Sequence, residues 1–177
     1  MESTAPLLRC AKFDVVSRAI HGRDGNTYER QYVVHPGAVV VLPLLEDGRI
    51  VMVNQYRPTV DRRLLELPAG TLDVKGEDPQ AAAARELEEE SGYRAGRFEP
   101  LCAFYPSPGI LTEKIQAYEA TGLTRSVARP EPTEDLHVEL VRFDDAVKRI
   151  LAGEIMDAKT IITLLYYKLR EEEEGGG

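Results

Sequence analysis

Apolar positions come in short bursts through most of the chain and take helical spacing near its end. The clearest burst is Ala38–Leu45, which precedes the polar turn Glu46-Asp47-Gly48 and a second apolar run over Arg49–Tyr56. Short apolar runs between turn residues read as buried strands, and a tight turn between them predicts a hairpin. Phe13–Arg18 and Thr27–Val34 read as a strand pair around the turn-rich segment His21–Asn26. Leu64–Leu67 is a short apolar piece closed by Pro68-Ala69-Gly70, and a loop follows over 71–78. Phe98–Tyr105, Lys114–Gly122 and Leu136–Phe143 complete the predicted strands. Three other stretches carry helical signatures. Pro79 suits a first turn, Ala81–Ser91 continues it, and Gly92 stands where a helix stops. Asp144–Ala152 is amphipathic and ends at Gly153, and a last helix follows Asp157 as its N-cap through Ile161, Ile162, Leu165 and Tyr166. Strands before and after a helix, with two more helices at the end, predict an α/β (α+β) fold with a mixed sheet covered on its faces. The N-terminal strand pair has two options: a sheet of its own, or a crossing to a second subunit.

The chain has 177 residues and a formal charge of −8. That length fits one domain able to bury a core without disulfides or a structural metal. The charge is uneven. Residues 70–93 hold seven acids and two bases, and Glu171–Glu174 is a solvated run of four more acids. An acidic chain excludes the basic face that nucleic-acid binding needs. Cys10 and Cys102 form no framework and read as reduced thiols of a cytoplasmic protein. The opening residues lack the basic and apolar regions of a signal peptide, and no run approaches the ~20 apolar residues of a membrane span.

The acidic segment has an internal order. At ~100° per residue, Glu86, Glu89 and Glu90 share an arc of roughly 100°, while Glu88 points nearly opposite. Like charges at these spacings repel. A hard cation removes the repulsion, and carboxylate oxygens suit Mg²⁺ or Mn²⁺, whose shell is completed by waters and phosphate oxygens. Taken alone, three glutamates also fit an ordinary solvated helix face.

The spacing around them goes further. Gly70, Glu77, Arg85, Glu86, Leu87, Glu89, Glu90, Gly92 and Tyr93 resemble the Nudix box, with one extra residue between Gly70 and Glu77. The segments at 65–70 (LELPAG), 55–58 (QYRP), 107–114 (SPGILTEK) and 134–136 (EDL) resemble the ADP-ribose pyrophosphatase branch of the Nudix hydrolases. The resemblance implies an α/β/α sandwich, Mg-dependent hydrolysis of ADP-ribose or a related ADP-sugar, and a homodimer that exchanges N-terminal strands. It divides the chain into N-terminal strands over 1–35, a hydrolase domain over 36–170 and a tail over 171–177. Other outcomes of the same resemblance are another dinucleotide substrate (GDP-mannose, NADH or a flavin dinucleotide) or a nucleotide-binding regulator without turnover.

Residue by residue, the resemblance implies Glu86, Glu90 and the backbone carbonyl of Ala69 as metal ligands. Glu89 ligates a further ion or orients the water. Arg85 and Glu77 support the glutamate face and the loop that begins at Gly70, although Glu77 equally fits an acid drawn to a helix N-terminus. Glu134 is the implied base, with Glu131, Asp135 and Glu139 as competing neighbours. Arg57 reaches the pyrophosphate or terminal ribose, and Ser107, Gly109 and Glu113 line the distal sugar. Arg30 and Gln31 contact the adenine side from the partner subunit.

Overall fold

The computed structural model describes residues 4–176, so the first three residues of the N-terminal segment and the last of the tail lie outside the described residues. The chain order is β1 (Thr4–Arg9), β2 (Asp14–His21), β3 (Thr27–Val34), β4 (Ala38–Pro43), β5 (Arg49–Arg57), β6 (Arg62–Glu66), β7 (Ala69–Thr71) and α1 (Pro79–Ser91). It continues with β8 (Tyr93–Arg94), β9 (Arg97–Phe104), β10 (Ile115–Thr121), β11 (Thr124–Arg125), β12 (Leu136–Arg142), α2 (Phe143–Leu151) and α3 (Ala158–Gly175).

β4 explains the layering. Val39 and Val41 pack with Ala82, Ala83 and Leu87 of α1. Val40 and Leu42, on its other face, pack with Ala146 of α2 and Leu164 of α3. A strand covered on both faces has no polar side, so its sequence is continuously apolar rather than alternating. β4 pairs parallel with β10 and antiparallel with β7, inside the order β7-β4-β10-β9. This is the expected mixed sheet between helices.

The hairpin expected from Ala38–Leu45 and Arg49–Tyr56 does not form. The turn is there, with Gly48 at φ 77°, and Leu45 N–H donates to the Arg49 carbonyl at 2.8 Å. Beyond the single bridge Leu44–Ile50 the strands part. Each has both edges taken by other partners: β7 and β10 flank β4, while β6 and β12 flank β5.

The N-terminal pair is a three-stranded antiparallel sheet, β1-β2-β3. β1 lacks strand alternation and contains Pro6, beside which the register slips, so its sequence gave no strand signal. Leu7, Leu8, Phe13 and Tyr28 are exposed on this sheet. β3 is pinned to the body at its end, where Val33 N–H donates to the Ile110 carbonyl and Thr112 N–H to the Val33 carbonyl. The acidic tail is exposed but not irregular: α3 runs on to Gly175. Ion pairs from Lys168 to Glu172 and from Arg170 to Glu171 and Glu174 offset the repulsion of the four glutamates. Among the described residues no helix is long and apolar enough to cross a membrane.

Candidate active site

α1 is fixed at both ends. Asp78 caps it by accepting from the N–H groups of Gln80 and Ala81, and Pro79 fills the first helical position. Gly92 closes it in the left-handed region at φ 67°, donating to the Glu88 carbonyl. A Cβ at Gly92 would lie 2.9 Å from Ala128 N, so the stop also needs the missing side chain.

The buried stripe of α1 is Ala83, Leu87 and then Glu90, which is 3% exposed. A carboxylate therefore stands where helical periodicity asks for an apolar residue. Its Oε2 accepts the Ala69 N–H at 3.0 Å. Burial pushes the Glu90 carboxyl up to about 8, and the charges of Glu134 and Glu86 add to the rise against the Ala69 bond. Burial likewise raises Glu86 to about 7, with Arg85 opposing and Glu89 and Glu134 reinforcing. Glu86 lies directly against Gly70, since a Cβ on that glycine would fall 1.9 Å from Glu86 Cδ. Gly70 is thus the place where the helix face and β7 touch.

Arg85 ties the acidic face together. Its guanidinium donates twice to Glu77, at 3.0 Å each. It also donates to Glu86 at 2.7 Å and to Glu89 at 3.0 Å. Bonding to Arg85 holds the Glu77 carboxyl below its ordinary range. Glu77 therefore anchors Arg85 from the loop before the helix. With Arg85 spanning Glu86 and Glu89, no three His, Cys, Asp or Glu side chains among the described residues form a ready metal cage. The donors that fit a hard cation are the half-buried Glu86 and the buried Glu90, both raised chiefly by burial, with Glu86 adding to the rise at Glu90.

Glu134 belongs to this group, because its charge is felt by both Glu86 and Glu90. Its Oε2 accepts the Glu131 N–H at 2.7 Å, which curls the loop before β12. The neighbouring acids face elsewhere. Asp135 pairs with Arg63 at 2.5 Å, Glu131 lies 3.7 Å from Lys12, and Glu139 accepts from Asn54 at 2.8 Å.

Beside Gly70 lies a cavity of about 290 Å³ lined by Ala69, Gly70, Arg57, Glu113, Pro106 and Lys159, among others. The structure therefore sets Arg57 and Glu113 around one cavity with Ala69 and Gly70, and Ser107 and Gly109 follow its lining residue Pro106 along the chain. His35 sits behind Glu113, its Nδ1 3.6 Å from the carboxylate. Arg30 and Gln31 are not brought there within this chain. They are exposed on β3, where Arg30 stands opposite Arg18 and Gln31 donates to Ser17 at 3.4 Å.

Two charged residues had no role assigned from the sequence: Lys159, which lines this cavity, and Glu66, which binds the lining residue Arg57. Glu66 is 1% exposed and accepts from Arg57 Nε at 2.8 Å and Nη2 at 2.7 Å. Lys159, from the first turn of α3, also donates to Glu66 and pairs with Asp157 at 2.9 Å. Burial alone would raise the Glu66 carboxyl, but Arg57 and Lys159 outweigh it and hold the group below its ordinary range. The sequence separation of 93 from Glu66 to Lys159 hid the pair from any spacing argument. The available signals were Glu66 itself, an acid in an apolar strand, and its place in the LELPAG segment. A second cleft, on the far flank of α1, is lined by Arg85, Glu88, Glu89, Arg94 and Arg129; it does not open on the Ala69–Gly70 loop.

The loop, the capped helix and its acidic face are those of one family: residues 34–163 match the NUDIX domain, and the chain belongs to that family. It is 41% identical over 150 residues to the ADP-ribose pyrophosphatase of Bacillus subtilis (strain 168), covering 84% of this chain and 80% of the relative. It is 42% identical over 150 residues, with the same coverage, to the methanol dehydrogenase activator of Bacillus methanolicus. A crystal structure described as an ADP compounds hydrolase superposes with a TM-score of 0.85, covering 98% of this chain and 94% of that one at 19% identity. At that identity the likeness is one of fold.

Proposed function

We propose that the chain hydrolyses the pyrophosphate of ADP-ribose or a related ADP-sugar with Mg²⁺, giving AMP and a sugar phosphate. The observation that carries this reading is the contact of Glu86 with Gly70, set beside a buried Glu90 and a cavity holding Arg57. Glu86, Glu90 and the Ala69 carbonyl would hold the cation. When bound, it polarises phosphoryl oxygens and offsets the charge that develops on them. Glu134 takes one proton from the attacking water. The new P–O bond forms as the bridging P–O bond breaks, its electron pair leaving on the departing phosphate oxygen. Arg57, oriented by Glu66, faces the anionic substrate, and Lys159 adds a second cation on the same wall. The exposed N-terminal sheet would pair with that of a second copy and bring Arg30 and Gln31 to the adenine side. The cytoplasm is the proposed compartment.

A panel of ADP-ribose, other ADP-sugars, GDP-mannose, NADH and flavin dinucleotide, with products identified by mass, tests the substrate class. ADP-sugars are expected to turn over fastest. GDP-mannose turning over while ADP-sugars do not would overturn the choice. The name of the Bacillus methanolicus relative favours a second reading, in which the chain acts on another enzyme's behalf. A panel without any turnover would favour it.

Gly70→Ala displaces a flexible carboxylate rather than backbone, so the chain should fold normally. The Mg²⁺ concentration needed for half-maximal activity should rise by about 10- to 100-fold. An unchanged Mg²⁺ requirement would contradict the role given to the Glu86–Gly70 contact.

The raised carboxyls also set a pH dependence. Glu86 at about 7 and Glu90 at about 8 lie above their unfolded values, so the metal-free chain loses stability as pH rises through that range. A cation replaces the departing protons. The rise in Tm caused by Mg²⁺ should therefore be larger at pH 8.5 than at pH 6, read by thermal unfolding. Equal shifts at both pH values would contradict cation binding at these groups.

A further inference from the structure

Gln55 is a polar side chain in a place suited to an apolar one. It lies on β5, is 4% exposed, and its Oε1 is buried without a hydrogen-bond partner among the described residues. An unpaired buried acceptor is unfavourable, so such a group is suited to a donor that arrives with the ligand.

Its place in the sheet says where that donor would sit. Strand alternation puts Val53, Gln55 and Arg57 on one face. That face belongs to the site, because Arg57 lines the cavity with Ala69 and Gly70. Directly opposite Gln55 are Leu64 of β6 and Leu136 of β12, neither of which has a side-chain donor. Arg57 is committed to Glu66. Leu136 follows Glu134 and Asp135, and the Asp135 carbonyl accepts the Tyr56 N–H at 2.9 Å. The start of β12, two residues after Glu134, is thereby fixed across from Gln55. Asn54 marks the contrast. Its Oδ1 is unpaired too, but it faces the other side of the sheet, where its Nδ2 donates to Glu139 at 2.8 Å.

We infer that Gln55 positions the attacking water by accepting a hydrogen bond through Oε1 while Glu134 accepts the proton that is transferred. This rests on the pyrophosphatase reading and deepens it. A water that attacks phosphorus has two protons to place and one lone pair to aim. One proton passes to Glu134 as the P–O bond forms and the bridging P–O bond breaks, its pair leaving on the departing phosphate. The other proton stays on oxygen, and an acceptor for it fixes the direction of the lone pair. Gln55 is neutral, so it supplies that acceptor without adding to the crowded negative charge.

The test is Gln55→Leu, with Gln55→Met as a second variant of similar volume should the first fold poorly. Leucine fills the site without an orphaned acceptor, so Tm should match or exceed that of the unaltered chain. With ADP-ribose and Mg²⁺, kcat should fall by about 10- to 100-fold at unchanged KM. Because both residues would hold one water, adding Glu134→Gln should lower kcat little beyond Glu134→Gln alone. An unchanged kcat, a change confined to KM, or losses that multiply in the double variant would overturn the role of Gln55. Absence of turnover by the unaltered chain would instead overturn the pyrophosphatase reading, and this role with it.

Discussion

Glu90→Gln is expected to lower kcat for ADP-ribose by about 10³-fold or more while the chain keeps its fold. Lewis-acid stabilisation of a phosphoryl transition state is worth several kcal/mol, and each 1.36 kcal/mol is about tenfold in rate. Glutamine is nearly isosteric and its amide oxygen can still accept the Ala69 N–H that Glu90 accepts at 3.0 Å. It also matches the neutral acid that burial favours at a site that is 3% exposed. The variant should therefore melt at or above the temperature of the unaltered chain, and Mg²⁺ should no longer raise its Tm. Steady-state rates and thermal unfolding on the same preparation check both halves. Near-normal turnover would show that the cation is held elsewhere.

Glu134→Gln is expected to lower kcat by about 10²- to 10⁴-fold, the usual range for a positioned proton acceptor, with KM nearly unchanged. Glu134 is only half-buried and sits on a loop, so its loss leaves the core intact. Arg57 and Lys159, the proposed anchors of the substrate, line the cavity and are untouched. A rise in KM with kcat preserved would make Glu134 a binding group and leave Asp135 or Glu139 to be tested as the acceptor.

The helix and the direction of its glutamates were legible because they are local. Pro79, Gly92 and the spacing of Glu86, Glu89 and Glu90 lie within one short segment, and local rules fix their relative directions. The sequence also put Arg57 and Glu113 in motifs, and the structure sets both on one cavity wall with Gly70. What stayed hidden depended on distant partners. Ala38–Leu45 and Arg49–Tyr56 carry every local mark of a hairpin, yet β7, β10, β6 and β12 compete for their edges and win. Glu66 reads as one acid among leucines until Lys159 reaches it from α3. Gln55 reads as part of a motif until its unpaired oxygen is seen. The tail glutamates predict a solvated end, but Lys168 and Arg170 in the preceding turn keep them helical. Arg85 changes the picture most: its bonds to both Glu86 and Glu89 mean that the acidic face is held by an internal cation before any metal arrives.

The central claim is that buried carboxylates on α1, joined to the Ala69–Gly70 loop, make a cation-dependent pyrophosphatase centre. The most direct measurement is incubation of the chain with ADP-ribose in Mg²⁺ and in EDTA, with products identified by mass spectrometry. The account predicts AMP and ribose 5-phosphate in equal amounts with Mg²⁺ and none in EDTA. Equal product in both conditions, or intact ADP-ribose in both, would contradict it.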